Sequence, residues 1–122
     1  MKEFRLVVAG GRDFNCFRTL SKWLKRIHKK HPNLIIVSGT ARGADKLGEN
    51  WAVLHSVSIE RFPADWKKHG KQAGYLRNVE MAKVADGVIL FWDGKSKGTH
   101  HMKVIAEHDY QLPTKIVKYT TF

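Results

Sequence analysis

Five short strand-like runs, Phe4 to Ala9, Leu34 to Val37, Val57 to Phe62, Gly87 to Trp92 and Lys115 to Tyr119, alternate with segments of helical spacing. Phe17, Leu20, Leu24 and Ile27, widened by Trp23, predict a first helix that stops before Pro32-Asn33. Leu47, Trp51 and Leu54 put one apolar face on a second helix from Ala44. A third is predicted from about Tyr75 to Val84, and a fourth begins near Thr99. Strand–helix alternation demands parallel strands joined by right-handed crossovers, with helices on both faces. The chain is therefore predicted to be one α/β domain over residues 1–122, three layers deep. Its mainly parallel five-stranded sheet is expected in the order 3-2-1-4-5. The polar stretch between Pro63 and Gly74 has no convincing periodicity and reads as a loop.

In that strand order the chain reverses direction between the first and fourth strands, and loops leaving the carboxyl ends of the strands border the crevice there. Three glycine-bearing loops meet this description: Gly10-Gly11-Arg12, Ser38-Gly39-Thr40-Ala41-Arg42-Gly43-Ala44-Asp45, and Asp93-Gly94-Lys95-Ser96-Lys97-Gly98-Thr99. Glycines let the backbone come close to a ligand, while the helix that follows offers unpaired N–H groups and the positive end of its dipole. Arg12, Arg42, Lys95 and Lys97 add formal charge. The crevice is built for an anion.

Two common phosphate-binding classes are disfavoured. Gly94-Lys95-Ser96 has the ending of a P-loop, but the glycine required five residues upstream is replaced by Ile89. Gly10-Gly11-Arg12-Asp13-Phe14 lacks the Gly-x-Gly-x-x-Gly spacing of a dinucleotide fold. Composition narrows the remaining classes. Lys and Arg outnumber Asp and Glu by 22 to 11, a formal charge of +11 that favours anionic partners. Lys22, Lys25, Arg26, Lys29 and Lys30 crowd one helix, which is either a solvated face or a nucleic-acid contact. No run approaches the roughly 20 apolar residues of a membrane span, and the amino terminus lacks a signal-peptide pattern. Cys16 is the single cysteine and reads as structural, so a reducing cytoplasm is the expected location, with no membrane partner. His100-His101 has no ligand spacing, and no metal site or required cofactor is expected.

Taken in order, Gly10-Gly11-Arg12-Asp13-Phe14, Ser38 to Asp45, Phe62-Pro63-Ala64-Asp65-Trp66, Ala73-Gly74-Tyr75-Leu76-Arg77-Asn78 with Met81, and Ser96-Lys97-Gly98-Thr99 resemble the SLOG superfamily. The set is most similar to its small stand-alone YspA-type branch, related to YpsA. The resemblance implies a Rossmann-like domain that binds nucleotides or nucleotide-derived ligands. Within the superfamily, LOG-type members are phosphoribohydrolases and DprA binds single-stranded DNA. In the hydrolases a glutamate follows the last Gly-Thr by a few residues; here His100-His101-Met102-Lys103 follows, and Glu107 lies about two helical turns away.

The expected ligand contacts are Gly10, Gly11, Arg12, Gly39, Thr40, Arg42, Gly43, Asp45, Trp66, Arg77, Asn78, Ser96, Lys97, Gly98 and Thr99. Gly98 permits close backbone approach, and Thr99 either caps its helix or bonds a phosphate oxygen. Arg42 beside Gly43 either binds a phosphate in bidentate fashion or forms a surface salt bridge. Asp45 either complements a helix dipole or meets a ribose hydroxyl. Trp66 either stacks on a base or plugs the loop. Arg77 and Asn78 match the family's Arg-Asn pair, and Glu80, one turn from Arg77, is the candidate acid should there be catalysis. Binding of an ADP-ribose-like or NAD-related molecule, as sensor or sequestering protein, is the leading expectation. Nucleotide N-glycoside or phosphoribosyl hydrolysis by Arg77 and Glu80 is the enzymatic alternative, and nucleic-acid binding the third. A homodimer or higher oligomer is expected through a helix face to which Trp23 or Trp51 contributes.

Overall fold

A computed structural model describes residues 2–120 of the chain. Strand β1, Phe4–Gly10, sends Leu6 and Val8 to one side and Val7 and Ala9 to the other, the period-two alternation of a strand covered on both faces. It pairs in parallel with β2, Leu34–Ser38, and with β4, Gly87–Trp92. β3, Ser58–Arg61, and β5, Thr114–Lys118, complete an all-parallel sheet ordered β3-β2-β1-β4-β5. Each run of the sequence reading is a strand: the fourth agrees at both ends, the first and second extend one residue further, the third is a residue shorter at each end, and the fifth begins and ends one residue earlier.

Helices α1, Phe17–Lys30, and α2, Ala44–Leu54, cover one face, where Leu20, Leu24, Trp51 and Ala52 pack against Leu6, Val8, Ile36 and Ile89. Helices α4, Ala73–Val84, and α5, Lys97–Val104, cover the other through Met81, Ala82 and Met102, joined by Ile105 and Ala106 of a π turn over Ile105–Asp109. The structure has a Rossmann-like architecture, and its two-sided core follows from the all-parallel sheet. Among the described residues no helix is long and apolar enough to cross a membrane.

Three local expectations are corrected. The stretch after Pro63 contains a one-turn helix, α3, Trp66–His69, followed by a 3-10 turn over Gly70–Gln72. Asp65 caps α3 by accepting from the Lys68 amide at 3.1 Å, and Gly70 at φ 58° ends it. A single turn is too short to carry a periodic apolar face. Leu54 does not share the buried face of α2 but is 72% exposed. The inward face of α2 is Ala44, Asp45, Gly48, Glu49, Trp51 and Ala52, so two carboxylates take places that an apolar-stripe reading assigns to carbon. Finally, Trp51 is fully buried in the core, which removes it from any helix-face assembly.

The contrast within α2 gives a stability test. Trp51→Ala is expected to lower the unfolding free energy by about 3–5 kcal/mol, the usual range for emptying a buried aromatic site. Leu54→Ala is expected to change it by less than about 0.5 kcal/mol in the same urea titration.

Candidate functional site

The parallel sheet puts the carboxyl ends of all five strands at one end of the molecule, and a cavity of about 740 Å³ opens there. Its walls come from the turn after β1 (Gly10, Gly11, Arg12, Asp13), the loop into α2 with its first turn (Ala41, Arg42, Asp45), and the run from α3 through the 3-10 turn into α4 (Trp66, Lys71, Tyr75, Arg77, Asn78). The segment leading into α5 closes it with Asp93, Ser96, Gly98 and Thr99. A smaller adjoining hollow of about 630 Å³ shares Arg12, Ala41, Arg42, Trp66 and Arg77 and adds Gly39 and Thr40. Gly43 and Lys97 line neither hollow.

Gly43 has a different role. At φ 82° it takes a conformation glycine favours, and a Cβ there would fall 2.2 Å from the Gly11 carbonyl oxygen. That carbonyl accepts from the amides of Phe14 and Ala44, each at 3.2 Å. Two loops, at Gly11 and Gly43, 32 residues apart in the sequence, are thus seated backbone on backbone, which fixes the floor of the cavity. Just past the end of β5, the Tyr119 hydroxyl donates to Asp13 at 2.6 Å, and burial together with that carboxylate raises the phenol's pKa.

The loop between β2 and α2 is shaped by polar contacts. Arg61 Nε donates to Glu49 at 2.9 Å, Ser38 Oγ donates to Glu49 at 2.6 Å, and the Thr40 amide donates to Ser38 Oγ at 3.1 Å. Thr40 sits at φ 66°, an unfavourable angle for a β-branched residue that this chain of contacts holds in place. Ser38, Asp45, Glu49, Asn78 and Thr99 are the buried polar or charged residues among those described, and every one lies at this end of the sheet. Ordinary core packing supplies no reason for that clustering.

Asp45 is 4% exposed, and its carboxylate accepts from the Ala41 amide at 3.3 Å. Burial raises its pKa to about 6, against the opposing pull of Arg77. Arg77 is itself held below the usual arginine value by burial, with Asp45 acting the other way. Its Nε donates to Asn78 Oδ1 at 3.1 Å and its Nη1 to the Gly39 carbonyl, which leaves the Nη2 end of the guanidinium for the hollows it lines. A Cβ on Gly39 would sit 2.6 Å from Arg77 Nη1 and 2.8 Å from Asp45 Oδ2, so the glycine makes room for this pair. Exposed Arg12 and Arg42 have no ion pair among the described residues.

At α5 the cap is Ser96: its Oγ accepts from the Thr99 amide at 3.5 Å and lies 3.1 Å from Thr99 Oγ1. Asp93 accepts from the amides of Lys95 and Ser96 at 2.8 and 2.9 Å, which holds its pKa below the usual carboxylate value. Nothing lies within 4 Å of a Cβ built on Gly98. Glu80 is exposed and borders neither hollow, because α4 turns Asn78, Met81 and Ala82 inward and leaves Glu80 outside. The sequence reading also passed over Glu49, Lys71 and Tyr75. Glu49 was detectable, since it stands four residues after Asp45 on one helix face. No three metal-ligating side chains come together among the described residues.

Asp45 makes a pH test. The folded state keeps this proton up to about pH 6, whereas the unfolded carboxyl loses it near 3.8. The folded state therefore binds more protons in that window, and stability falls as pH rises through it. Asp45→Asn is expected to remove up to about 3 kcal/mol of this fall, at roughly 1.4 kcal/mol per pKa unit. Urea denaturation of both proteins from pH 4 to pH 7 measures it; identical slopes would rule the assignment out.

The model of the YspA, cpYpsA-related SLOG family matches residues 4–69, from β1 through α3. The Gene 61 protein of Mycobacterium phage D29 is 38% identical over 104 residues, covering 80% of this chain and 83% of that protein. No solved structure gives a significant match. With the matched span containing the Gly11–Gly43 contact and the polar loop between β2 and α2, the chain belongs to the YspA, cpYpsA-related SLOG family.

Proposed function

We propose that the two hollows together bind a nucleotide or nucleotide-derived small molecule, of the ADP-ribose or NAD-related kind, and that the protein is a cytoplasmic sensor or sequestering protein for it. The observation that carries this reading is the convergence of Arg12, Arg42 and Arg77 with the first turn of α5 around one cavity. Guanidinium groups and helix N-termini are both phosphate binders, and together they suit more than one phosphate. Arg12, Arg42, Arg77 and Trp66 border both hollows, so a ligand with phosphates between two larger halves would span them. Trp66, 50% exposed at the rim, offers an aromatic face for a base. Asp45, on the wall of the larger hollow, is the proposed acceptor for a sugar hydroxyl.

The empty space above Gly98 supports the same reading. Protein packing does not demand glycine there, but a phosphate lying on the first turn of α5 would. Gly98→Ala is expected to leave the melting temperature unchanged or raised, since alanine is the better helix former, and to weaken ADP-ribose binding by at least about tenfold. Calorimetric titration and thermal unfolding of the same samples test this. Equal affinities for the two proteins would place the ligand elsewhere. For the wild type, ADP-ribose at about 100 times its dissociation constant is expected to stabilise by roughly 2.7 kcal/mol. The molecule should be recovered intact by mass spectrometry; released base or ribose phosphate would move the reading to a hydrolase.

One observation favours nucleic acid as a second reading. Helix α1 carries Arg18, Lys22, Lys25, Arg26, Lys29 and Lys30 with no acidic residue, and none of these forms an ion pair among the described residues. If a single-stranded oligonucleotide binds this face, affinity must fall steeply with salt. Fluorescence anisotropy at about 50 and 200 mM salt decides the matter, and a flat response would remove the reading.

A further inference from the structure

The histidines that follow Gly98-Thr99 have no part in the reading above, yet one of them is tied to it by hydrogen bonds whose directions chemistry dictates. Arg77 Nε can only donate, so the Asn78 atom 3.1 Å from it is the amide oxygen. The Asn78 nitrogen therefore faces the Gly98 carbonyl at 3.2 Å, a group that can only accept. The same nitrogen lies 3.2 Å from His101 Nδ1. With both partners of the amide fixed, that ring nitrogen must present a lone pair. His101 is then neutral and carries its proton on Nε2.

We propose that His101 is a positioning residue of the cavity: its Nδ1 lone pair takes the second N–H of the Asn78 amide and so reinforces the orientation that joins Arg77 to the first turn of α5. The proposal rests on the anion-binding reading of the cavity for its effect on affinity, but the hydrogen-bond relay stands without it. Asn78 is buried and uses three of its hydrogen-bonding positions at once, on α4, on Gly98 and on His101. One amide thereby sets the distance between a guanidinium and a helix N-terminus, the two groups that would share a phosphate. The His101 ring is held edge to face on Tyr75, with centroids 4.6 Å apart, so its orientation is fixed from the cavity side as well. Burial lowers its pKa, which favours the neutral ring that the geometry requires; Asp109 acts against this and neighbouring His100 with it.

Turning the ring nitrogen into a donor, or removing it, leaves the amide held by Arg77 Nε–H and the Gly98 carbonyl alone. Asn78 then loses a partner, and a flip would set its NH2 group against Arg77 Nε–H. Arg77 would keep its charge and lose its aim.

Three measurements test the relay. In two-bond proton–nitrogen correlation spectra of the ligand-free protein at pH 7.5, His101 is expected as the Nε2–H tautomer; an Nδ1–H ring would overturn the proposal. His101→Phe keeps an aromatic ring against Tyr75 and removes the acceptor. It is expected to broaden or lose the protected Arg77 Nε–H signal and to weaken ADP-ribose binding about five- to tenfold. His101→Asn puts an amide oxygen near the position of Nδ1 and is expected to restore both the signal and, within about twofold, the affinity. Should His101→Phe fail to fold, His101→Gln, whose amide reaches instead toward the Nε2 position, takes its place. A sharp Arg77 Nε–H signal in the acceptor-free variant overturns the proposal. If the wild type binds no ADP-ribose, the nucleotide reading fails, while the tautomer and the Arg77 signal still decide the relay.

Discussion

Backbone contact between Gly11 and Gly43 is the constraint on which the site depends. With a Cβ at position 43 placed 2.2 Å from the Gly11 oxygen, no other residue lets the loop into α2 lie on the turn after β1. That seating brings the Ala44 amide onto the Gly11 carbonyl and starts α2 at a fixed height over the sheet. Asp45 and Glu49 follow on its inner face, one reaching the Ala41 amide and the other reaching Ser38 and Arg61. A helix started one residue later would turn both carboxylates by about 100° and dismantle the loop.

The architecture was legible because its signal is repeated. Each strand reads from its own apolar run, each crossover from its own helical stripe, and the parallel order follows from the handedness of the connections. Errors cluster where the inner face is polar. An apolar-stripe reading of α2 chose Leu47, Trp51 and Leu54, because it gives carboxylates no reason to point inward. The tertiary reason, a strained Thr40 loop that needs acceptors, appears only when Ser38 and Glu49 are seen together.

The lining of the two hollows is legible in the glycine-bearing loops and arginines of the sequence, and its supports are not. Gly39, Thr40, Arg42 and Trp66 come from motifs within single loops, and the structure places each on one of the hollows. Glu80 was chosen by helical spacing from Arg77. Arg77 itself sits at the edge of the inward face of α4, and one turn further along that edge already faces water. Gly43 was chosen as a ligand contact for its place beside Arg42, and its conformational freedom is instead spent on the neighbouring backbone. His101 could not be assigned from the sequence at all, since its partner Asn78 is 23 residues away.

The distribution of satisfied and unsatisfied groups is what separates the proposed binding site from a polar core kept for stability. Burying a carboxylate such as Asp45 or Glu49 costs free energy that apolar residues of the same size would not. A network kept only for stability would close on itself. Here the inner groups do close, Ser38 with Glu49 and Arg61, Asn78 with Arg77 and His101, while the outer ones do not. Arg12 and Arg42 border the hollows without an ion pair among the described residues, and the α5 turn at Gly98 is left clear of side chains. The rigid part of the network positions charge, and the open part is where that charge can be used. On the proposed reading, an anion completing the arrangement returns the stability given up in the interior, which is the energetic pattern of a preorganised binding site.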